Sequence, residues 1–96
     1  MSKPKVEPPE MVHIHDSKVL AAIITAEIRL TKRVTVNQIA QRTGINVSFV
    51  KNSIQRLQNK DLIRHKFMTH DGVIWHQATP AGYKYAGIKQ PIWMEA

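Results

Sequence analysis

Two short helix signals, separated by a glycine turn, constrain this sequence more than any other feature. Thr35-Val36-Asn37-Gln38 matches a capping box, in which the Thr hydroxyl and the Gln side chain each bond the other residue's backbone amide. Gly44 follows where a helix commonly ends in a left-handed residue, a conformation that glycine adopts at little cost. Asn46 is then a second N-cap. The pattern predicts a helix over about 36–43, a tight turn and another helix over about 47–60.

Helices are also predicted before and after this pair. Apolar residues at helical spacing predict a first helix over about 16–30, with Asp16 or Ser17 as its N-cap. Thr79 followed by Pro80 predicts the N-cap and the first position of a short fourth helix, which runs to about residue 86. In the third helix, apolar residues at spacings of four and three predict one buried stripe. Its members are Val50, Ile54 and Leu57.

Between the third and fourth helices the pattern changes to alternation around Asp71-Gly72, the strongest short-range signal for a hairpin. A two-residue turn there pairs position 70 with 73, 68 with 75, 67 with 76 and 65 with 78. The face expected to lie against the core carries Ile63, His65, Phe67, Ile74, His76 and Ala78. The opposite face carries Arg64, Lys66, Met68, Trp75 and Gln77.

Taken together, these elements predict a mostly α fold with a small β-hairpin. It comprises a three-helix core, a two-stranded hairpin and a short C-terminal helix, over residues 16–87. Residues 1–15, which hold three prolines and no apolar period, are expected to form a flexible N-terminal arm, and 88–96 a C-terminal tail. A chain of 96 residues is long enough for one small domain.

The order of these elements resembles the winged helix-turn-helix transcriptional regulators of the MarR-like, small prokaryotic and phage type. Val36–Ile45 is similar to the family's "IA-x-x-(T/L)-G-(I/L)" segment, and Val50–Ile63 to its "V-x-x-x-I-x-x-L-x-x-K-G-L-I". Thr79–Gly82 matches its "T-P-x-G" motif, whereas Asp61 stands where the family usually has Gly. The resemblance covers about residues 16–87 and implies a winged helix-turn-helix domain that binds DNA.

Positive charge is concentrated in one part of the chain. The whole sequence has 14 Lys and Arg against 7 Asp and Glu, a net charge of +7. Residues 29–66 alone carry nine basic side chains and one acidic side chain, a net charge of +8. Such a concentration is typical of a surface that binds a polyanion. The alternative is a solvated basic face that serves solubility.

The outer face of the third helix is the predicted DNA-reading surface. Helices joined by a short glycine turn meet at about 90–120°, so the second projects outward, and an α-helix fits the major groove. Predicted base contacts are Asn46, Ser48, Lys51, Asn52 and Gln55. Predicted contacts to the DNA backbone, some through the hairpin, are Lys32, Arg33, Thr35, Arg42, Arg56, Arg64, Lys66 and His70. An ordinary polar solvent face is the alternative for the helix.

Two side chains of the third helix have a second interpretation each. Arg56 is placed to pair with Asp61 as well as with a phosphate. Phe49 suits a contact with thymine methyl groups, or equally a position in the core or at an interface.

The histidines raise the alternative of a metal site. His13 and His15 are expected in a loop, and His65 and His76 as diagonal neighbours on the hairpin. No carboxylate or thiol is placed to complete a tetrahedral set, so ordinary histidines at the edge of the core are favoured and no cofactor is predicted. The sequence also has no Ser-His-Asp order with elbow glycines, no paired carboxylates and no Gly-rich phosphate loop, so no enzymatic activity is expected.

The sequence therefore predicts a sequence-specific regulator of transcription that binds double-stranded DNA. Helix 47–60 is expected in the major groove and hairpin 63–78 on the backbone or minor groove. A homodimer is expected, through the first helix or the segment 88–94. The alternative is a winged-helix protein-interaction module, such as an assembly factor or a phage-encoded modulator of a host protein. The lack of cysteine and a longest apolar run of six residues, 19–24, predict a cytoplasmic, nucleoid-associated protein without membrane contact.

Overall fold

A computed structural model describes residues 6–30, 34–68 and 73–90. It contains four helices and one antiparallel hairpin within those ranges, in the predicted order. The elements are α1 (Pro9–Leu30), α2 (Val36–Thr43), α3 (Val47–Asn59), β1 (Ile63–Met68), β2 (Val73–Ala78) and α4 (Pro80–Ala86). This is the predicted architecture of a three-helix core, a hairpin and a short final helix.

The first helix begins earlier than the sequence pattern indicates. It starts at Pro9, a residue well suited to the first helical position because its missing amide hydrogen needs no partner there. Asp16 and Ser17, the predicted N-caps, therefore lie inside α1, and that prediction is wrong. Residues 9–15, expected to belong to the flexible arm, are helical. Positions 1–5 of that arm lie outside the described residues.

The helix pair α2–α3 forms as its local signals predict. Thr35 Oγ1 accepts from the Gln38 amide at 3.4 Å, and Gln38 Oε1 accepts from the Thr35 amide at 3.1 Å, which completes the capping box. Gly44 has φ 73°, a left-handed conformation that ends α2. Asn46 Oδ1 accepts from the Ser48 amide at 2.9 Å and caps α3. Both caps and the glycine turn are confirmed.

A single hydrophobic core lies where α1 meets the other elements. Helix α1 packs against α2, α3, α4 and β2, so it is the central element of the domain. Its buried apolar face meets one face of each neighbour. The largest fully buried apolar side chains are Leu20, Ile23, Ile24, Ile39, Leu57, Val19, Val34 and Val50. The predicted stripe of α3 is confirmed, with Val50, Ile54 and Leu57 all buried.

The hairpin pairs in a different register from the predicted one. Met68 is opposite Val73 and His65 is opposite His76, so the predicted pairing of 68 with 75 and 65 with 78 is wrong. The proposed turn at 71–72 falls outside the described residues. Register is set at the other end of the hairpin, where the buried residues Ile63 and Ala78 pair. The shift is even, and the buried strand residues Ile63, His76 and Ala78 lie on the core side, as predicted.

Two contacts fix the base of the hairpin. The Thr79 amide donates to the Leu62 carbonyl at 3.0 Å, directly below the first strand pair. Val34 forms an antiparallel bridge with His76, whose amide donates to the Val34 carbonyl at 3.0 Å. The segment ahead of α2 thus holds β2 against the core, and these tertiary contacts explain the observed register.

The T-P-x-G motif positions α4 on the turn that precedes β1. Thr79 Oγ1 accepts from the Gly82 amide at 3.0 Å as an N-cap, and it donates to the Asp61 carbonyl at 2.6 Å. A Cβ at Gly82 would lie 2.1 Å from the Leu62 carbonyl oxygen, so only glycine allows this approach. Asp61 has φ 58°, a conformation in which Asp is tolerated better than most residues. The left-handed φ at position 61 explains why the family that this sequence resembles usually has Gly at that position.

Candidate nucleic-acid interface

Helix α3 presents one face to the core and the opposite face to solvent. Its cap at Asn46 fixes where the helix starts, and the buried side chains of Val50, Ser53, Ile54 and Leu57 fix its rotation. Residues three and four positions apart share a helix face, so the residues between the buried ones point away from the body. The outward face of α3 is thereby a stable polar surface beside the glycine turn.

Four of the predicted base-contacting residues lie together on that outward face. Ser48, Lys51, Asn52 and Gln55 are all exposed, as the sequence pattern predicts. The Gln55 amide nitrogen donates to Asn59 Oδ1 at 3.1 Å, one turn further along the helix. We name the set of Ser48, Lys51, Asn52 and Gln55 the α3 outer face.

Asn46, the fifth predicted base contact, has a structural role already. Its side-chain oxygen caps α3, while the residue itself is exposed at the same end of the helix. An amide side chain has an NH₂ group in addition to this oxygen. Asn46 is therefore a cap whose donors stay available next to the α3 outer face.

The predicted backbone-contacting residues divide into those the structure describes and those it does not. Arg42 is exposed in the last turn of α2, and Arg64 is exposed on β1. Thr35 is half-buried and its hydroxyl caps α2. Lys66 lies on β1, but its side chain is outside the described part of the chain, as are Lys32, Arg33 and His70 altogether. Of the predicted backbone contacts, Arg42 and Arg64 are thus the cations that the structure describes as exposed.

Arg56 differs from the other cations because its guanidinium is bound by the protein. Its Nε donates to both Asp16 carboxylate oxygens at 3.0 and 3.1 Å, and its Nη2 donates to Asp16 Oδ1 at 2.8 Å. Nη1 donates to Glu7 Oε1 at 3.0 Å, and Nη2 also contacts Glu7 Oε2 at 3.3 Å and Ser53 Oγ at 3.1 Å. The alternative interpretation, an ion pair with Asp61, is wrong in its partner, because Arg56 pairs with Asp16 and Glu7 instead.

His15 extends this network toward the start of α3. Its Nδ1 lies 2.5 Å from Glu7 Oε2, and its ring stacks on Phe49 with centroids 5.7 Å apart and planes at 18°. Phe49 is packed against the core, in line with the second of its two interpretations. We name Glu7, His15, Asp16, Ser53 and Arg56 the Arg56 cluster.

The ionisation of the Arg56 cluster follows from its hydrogen bonds. The bonds that Arg56 donates to Asp16 first, and then to Glu7, outweigh desolvation and raise the pKa of Arg56. Burial by itself raises the pKa of Glu7, but hydrogen bonds from Arg56 and His15 outweigh it and hold that pKa below its usual value. The acidic residues come from the N-terminal third of the chain, so folding sets them against one cation of the basic 29–66 segment.

The histidines lie in other places than the sequence indicates. His13 and His15 are on α1 rather than in a loop, because the helix starts at Pro9. His65 and His76 are direct strand partners rather than diagonal neighbours. Within the described ranges, no group of three or more His, Cys, Asp or Glu side chains is arranged to hold a metal ion.

One more buried carboxylate, which was not among the predicted functional residues, lies on α1 about three helical turns from Asp16. Glu27 is 2% exposed and accepts hydrogen bonds from the Ala78 amide and the Tyr83 hydroxyl. A signal existed, since Glu27 falls in the same helical stripe as the apolar residues Val19, Leu20, Ile23 and Ile24. The role of Glu7 had no such signal, because Glu7 precedes the helix in a proline-containing segment.

Solved structures share this fold, although sequence comparison finds no relative. No family model and no curated protein sequence matches the chain. A MepR mutant from S. aureus, bound to an oligodeoxyribonucleotide, superposes with a TM-score of 0.69 at 20% identity, over 76% of this chain and 51% of that one. Lactococcus lactis ZitR, a zinc-responsive MarR family member, superposes with a TM-score of 0.64 at 20% identity. The match covers 90% of this chain and 52% of that one.

A third similar structure is the PcaV transcriptional regulator from Streptomyces coelicolor, in complex with its natural ligand. Its TM-score is 0.66 at 18% identity, over 75% of this chain and 48% of that one. The chain therefore has the winged helix-turn-helix fold of MarR-type regulators and spans about half the length of these proteins. None of its described helices is both long and apolar enough to cross a membrane.

Proposed function

We propose that this chain is a non-enzymatic regulator of transcription that binds double-stranded DNA at specific sequences. Helix α3 lies in the major groove, and the β1–β2 hairpin lies on the backbone or in the minor groove. Base contacts come from the α3 outer face and Asn46. Backbone contacts come from Arg42, Arg64 and Thr35, together with Lys32, Arg33, Lys66 and His70.

One observation carries this proposal: the α3 outer face is exposed, while Val50, Ser53, Ile54 and Leu57 on the opposite face of the helix are buried. A hydroxyl, an ammonium and two amides lie side by side on the α3 outer face, without a carboxylate among them. Amide side chains bond adenine in a bidentate way, and Lys bonds guanine or phosphate, so this set suits a major groove. A net charge of +8 over residues 29–66 supports contact with a polyanion.

A homodimer follows from the size of the module. One recognition helix reads about half of a typical operator, so two copies on a pseudo-palindrome are needed for ordinary specificity. Sedimentation analysis with and without the selected DNA measures the number of chains per site. Two chains per duplex support the dimer, whereas one chain on an asymmetric site contradicts it.

Selection from random duplexes, followed by mobility-shift assays, tests the proposal. An enriched motif is expected, and the logarithm of the affinity should fall linearly with the logarithm of the salt concentration, because bound cations displace counterions from phosphates. Absence of an enriched motif, or an affinity that does not change with salt, would contradict sequence-specific binding.

A double substitution separates DNA binding from the protein-interaction alternative. Lys51→Glu with Gln55→Ala removes two contacts of the α3 outer face, each expected to contribute about 1–3 kcal/mol. Lys84→Glu is the matched control, since Lys84 is an exposed cation on α4. Loss of DNA binding only in the double variant supports the proposal. Unchanged DNA binding in that variant would place the interface elsewhere.

A further inference from the structure

The Arg56 cluster joins three parts of the chain at the side of α3, between its outer face and its buried face. Glu7 precedes α1, Asp16 and His15 belong to α1, and Arg56 and Ser53 belong to α3. The side chains of Glu7 and Asp16 are 6% and 10% exposed, and that of Arg56 is 29% exposed. Carboxylates buried to this degree need their hydrogen bonds, so the cluster is a fixed part of the fold.

The geometry of Arg56 does not suit a phosphate contact. All three guanidinium nitrogens donate to protein oxygens, and two carboxylates already balance its charge. A phosphate would be a third anion at a guanidinium that already holds two carboxylates, and the pair with Asp16 has the bidentate arrangement that is the strong form of an arginine–carboxylate pair. Arg56 therefore donates its hydrogen bonds to acceptors within the protein.

The cluster and the neighbouring stack hold α3 at two points. Phe49 contacts the His15 ring, and Arg56, seven residues later, contacts Asp16 and Glu7. Seven residues are close to two helical turns, about 10 Å along the axis, so both contacts lie on one side of α3. Two anchors on one side fix the rotation of a helix about its own axis as well as its position. The α3 outer face lies over the same two turns.

We infer that Arg56 is a positioning residue for the DNA-reading helix rather than a phosphate contact, and that Glu7 makes the segment ahead of α1 a functional part of the reading module. This inference rests on the proposed function. It replaces two sequence-based expectations, a backbone contact by Arg56 and the assignment of Glu7 to a flexible N-terminal arm.

Electrostatics and positioning predict opposite signs for removal of the carboxylates. Glu7 and Asp16 place negative charge near α3, so their neutralisation alone would strengthen binding to a polyanion. If they hold α3 in place, neutralisation weakens sequence-specific binding instead. The sign of the change therefore distinguishes the two roles.

The experiment measures the affinity of the full chain for its selected duplex as a function of salt, for Glu7→Gln, Asp16→Asn and Arg56→Gln. Each is expected to weaken binding at least about tenfold, equal to about 1.4 kcal/mol. The slope of log affinity against log salt is expected to stay at the wild-type value, because no phosphate contact is lost. Glu10→Gln is the matched control, since Glu10 is an exposed acid in the first turn of α1. It should bind at least as tightly as wild type.

Two results would overturn the inference. One is a salt slope reduced by about 0.9 in Arg56→Gln relative to wild type, which is the loss of one phosphate contact. The other is tighter binding by Glu7→Gln and Asp16→Asn.

Amide chemical shifts of α3 in the DNA-free protein provide a readout that does not depend on DNA binding. Glu7→Gln is expected to shift the amides of residues 48–55 while circular dichroism shows an intact fold. If the wild-type protein binds no duplex at all, the proposed function fails, and these shifts still test the positioning role. Unshifted α3 amides in Glu7→Gln would reject it.

Discussion

The hydroxyl of Tyr83 donates a 2.5 Å hydrogen bond to Oε2 of Glu27, and both side chains are buried. The other oxygen of Glu27 accepts from the Ala78 amide at 2.7 Å. One carboxylate on α1 thus joins the end of β2 to α4. Burial, and then the bond to Glu27, raises the pKa of Tyr83 well above its usual value.

Tyr83→Phe is expected to destabilise the domain while its structure is retained. The ring still fills its place in the core, but Glu27 loses a donor inside the protein, which costs about 1–3 kcal/mol. Chemical denaturation measures the change in the free energy of unfolding. Tyr85→Phe is the matched control and should be neutral, because Tyr85 is 52% exposed. Equal effects of the two substitutions would contradict a specific role for the Glu27 bond.

The same pair predicts a loss of stability at alkaline pH. The pKa of Tyr83 is raised in the folded state, so the unfolded chain releases this proton first as the pH rises past about 10. The stabilisation from Tyr83 is complete below that pH and is lost above it. Unfolding free energies measured between pH 8 and pH 11 should fall less steeply in Tyr83→Phe than in Tyr85→Phe.

Gly82→Ala is expected to be among the most destabilising single methyl additions in the described part of the chain. The new Cβ would lie 2.1 Å from the Leu62 carbonyl oxygen. Because that oxygen belongs to the backbone and cannot rotate away as a side chain can, α4 must move. Forced overpacking of this kind typically costs about 1–3 kcal/mol. Ala81→Ser, at the exposed neighbouring position, should change stability by less than about 0.5 kcal/mol. A Gly82→Ala variant as stable as wild type would contradict the close approach.

Asp61→Gly is expected to stabilise the domain. Asp61 has φ 58°, and this left-handed conformation costs a non-glycine residue about 1–2 kcal/mol. Glycine avoids that cost, but its greater conformational freedom in the unfolded chain offsets part of the gain. A net gain of about 0.5 kcal/mol or more is expected by thermal denaturation. Lys60→Gly, one residue earlier with φ −94°, should instead destabilise. A loss of stability in Asp61→Gly would show that the Asp side chain itself contributes to the turn.

Two substitutions at Asn46 separate its cap from its proposed DNA contact. Asn46→Ala removes the acceptor for the Ser48 amide and should cost about 1 kcal/mol of stability. Asn46→Asp keeps the acceptor and favours the positive end of the helix, so stability should be unchanged or higher. Its new negative charge should nevertheless weaken DNA binding. Wild-type DNA affinity in Asn46→Asp would place this end of α3 away from the duplex.

Much of the fold follows from signals that span only a few residues. The capping box at Thr35, the left-handed Gly44 and the Asn46 cap each depend on hydrogen bonds between near neighbours in the chain. The rotation of α3 follows from the spacing of its apolar side chains, so the exposure of Ser48, Lys51, Asn52 and Gln55 was predictable. These features are local, and a one-dimensional pattern therefore describes them well.

Contacts between distant parts of the chain set the remaining features. The hairpin register depends on Ile63 and Ala78 at its base and on the bridge from Val34, rather than on the turn residues. The partners of Arg56 lie 40 and 49 positions away, at Asp16 and Glu7. The hairpin register and the partners of Arg56 both follow from how the elements pack. Such packing produces no pattern of fixed spacing in the sequence.

Local hydrogen bonding and apolar periodicity thus specify the helices, their caps and the outward face of α3, because the free energies involved arise within one or two turns. Packing of α1 against its neighbours decides which cation is neutralised, which carboxylate is buried and how the strands align. Those outcomes depend on distances between residues far apart in the sequence, because a carboxylate can be buried only where the folded chain provides a hydrogen-bond donor.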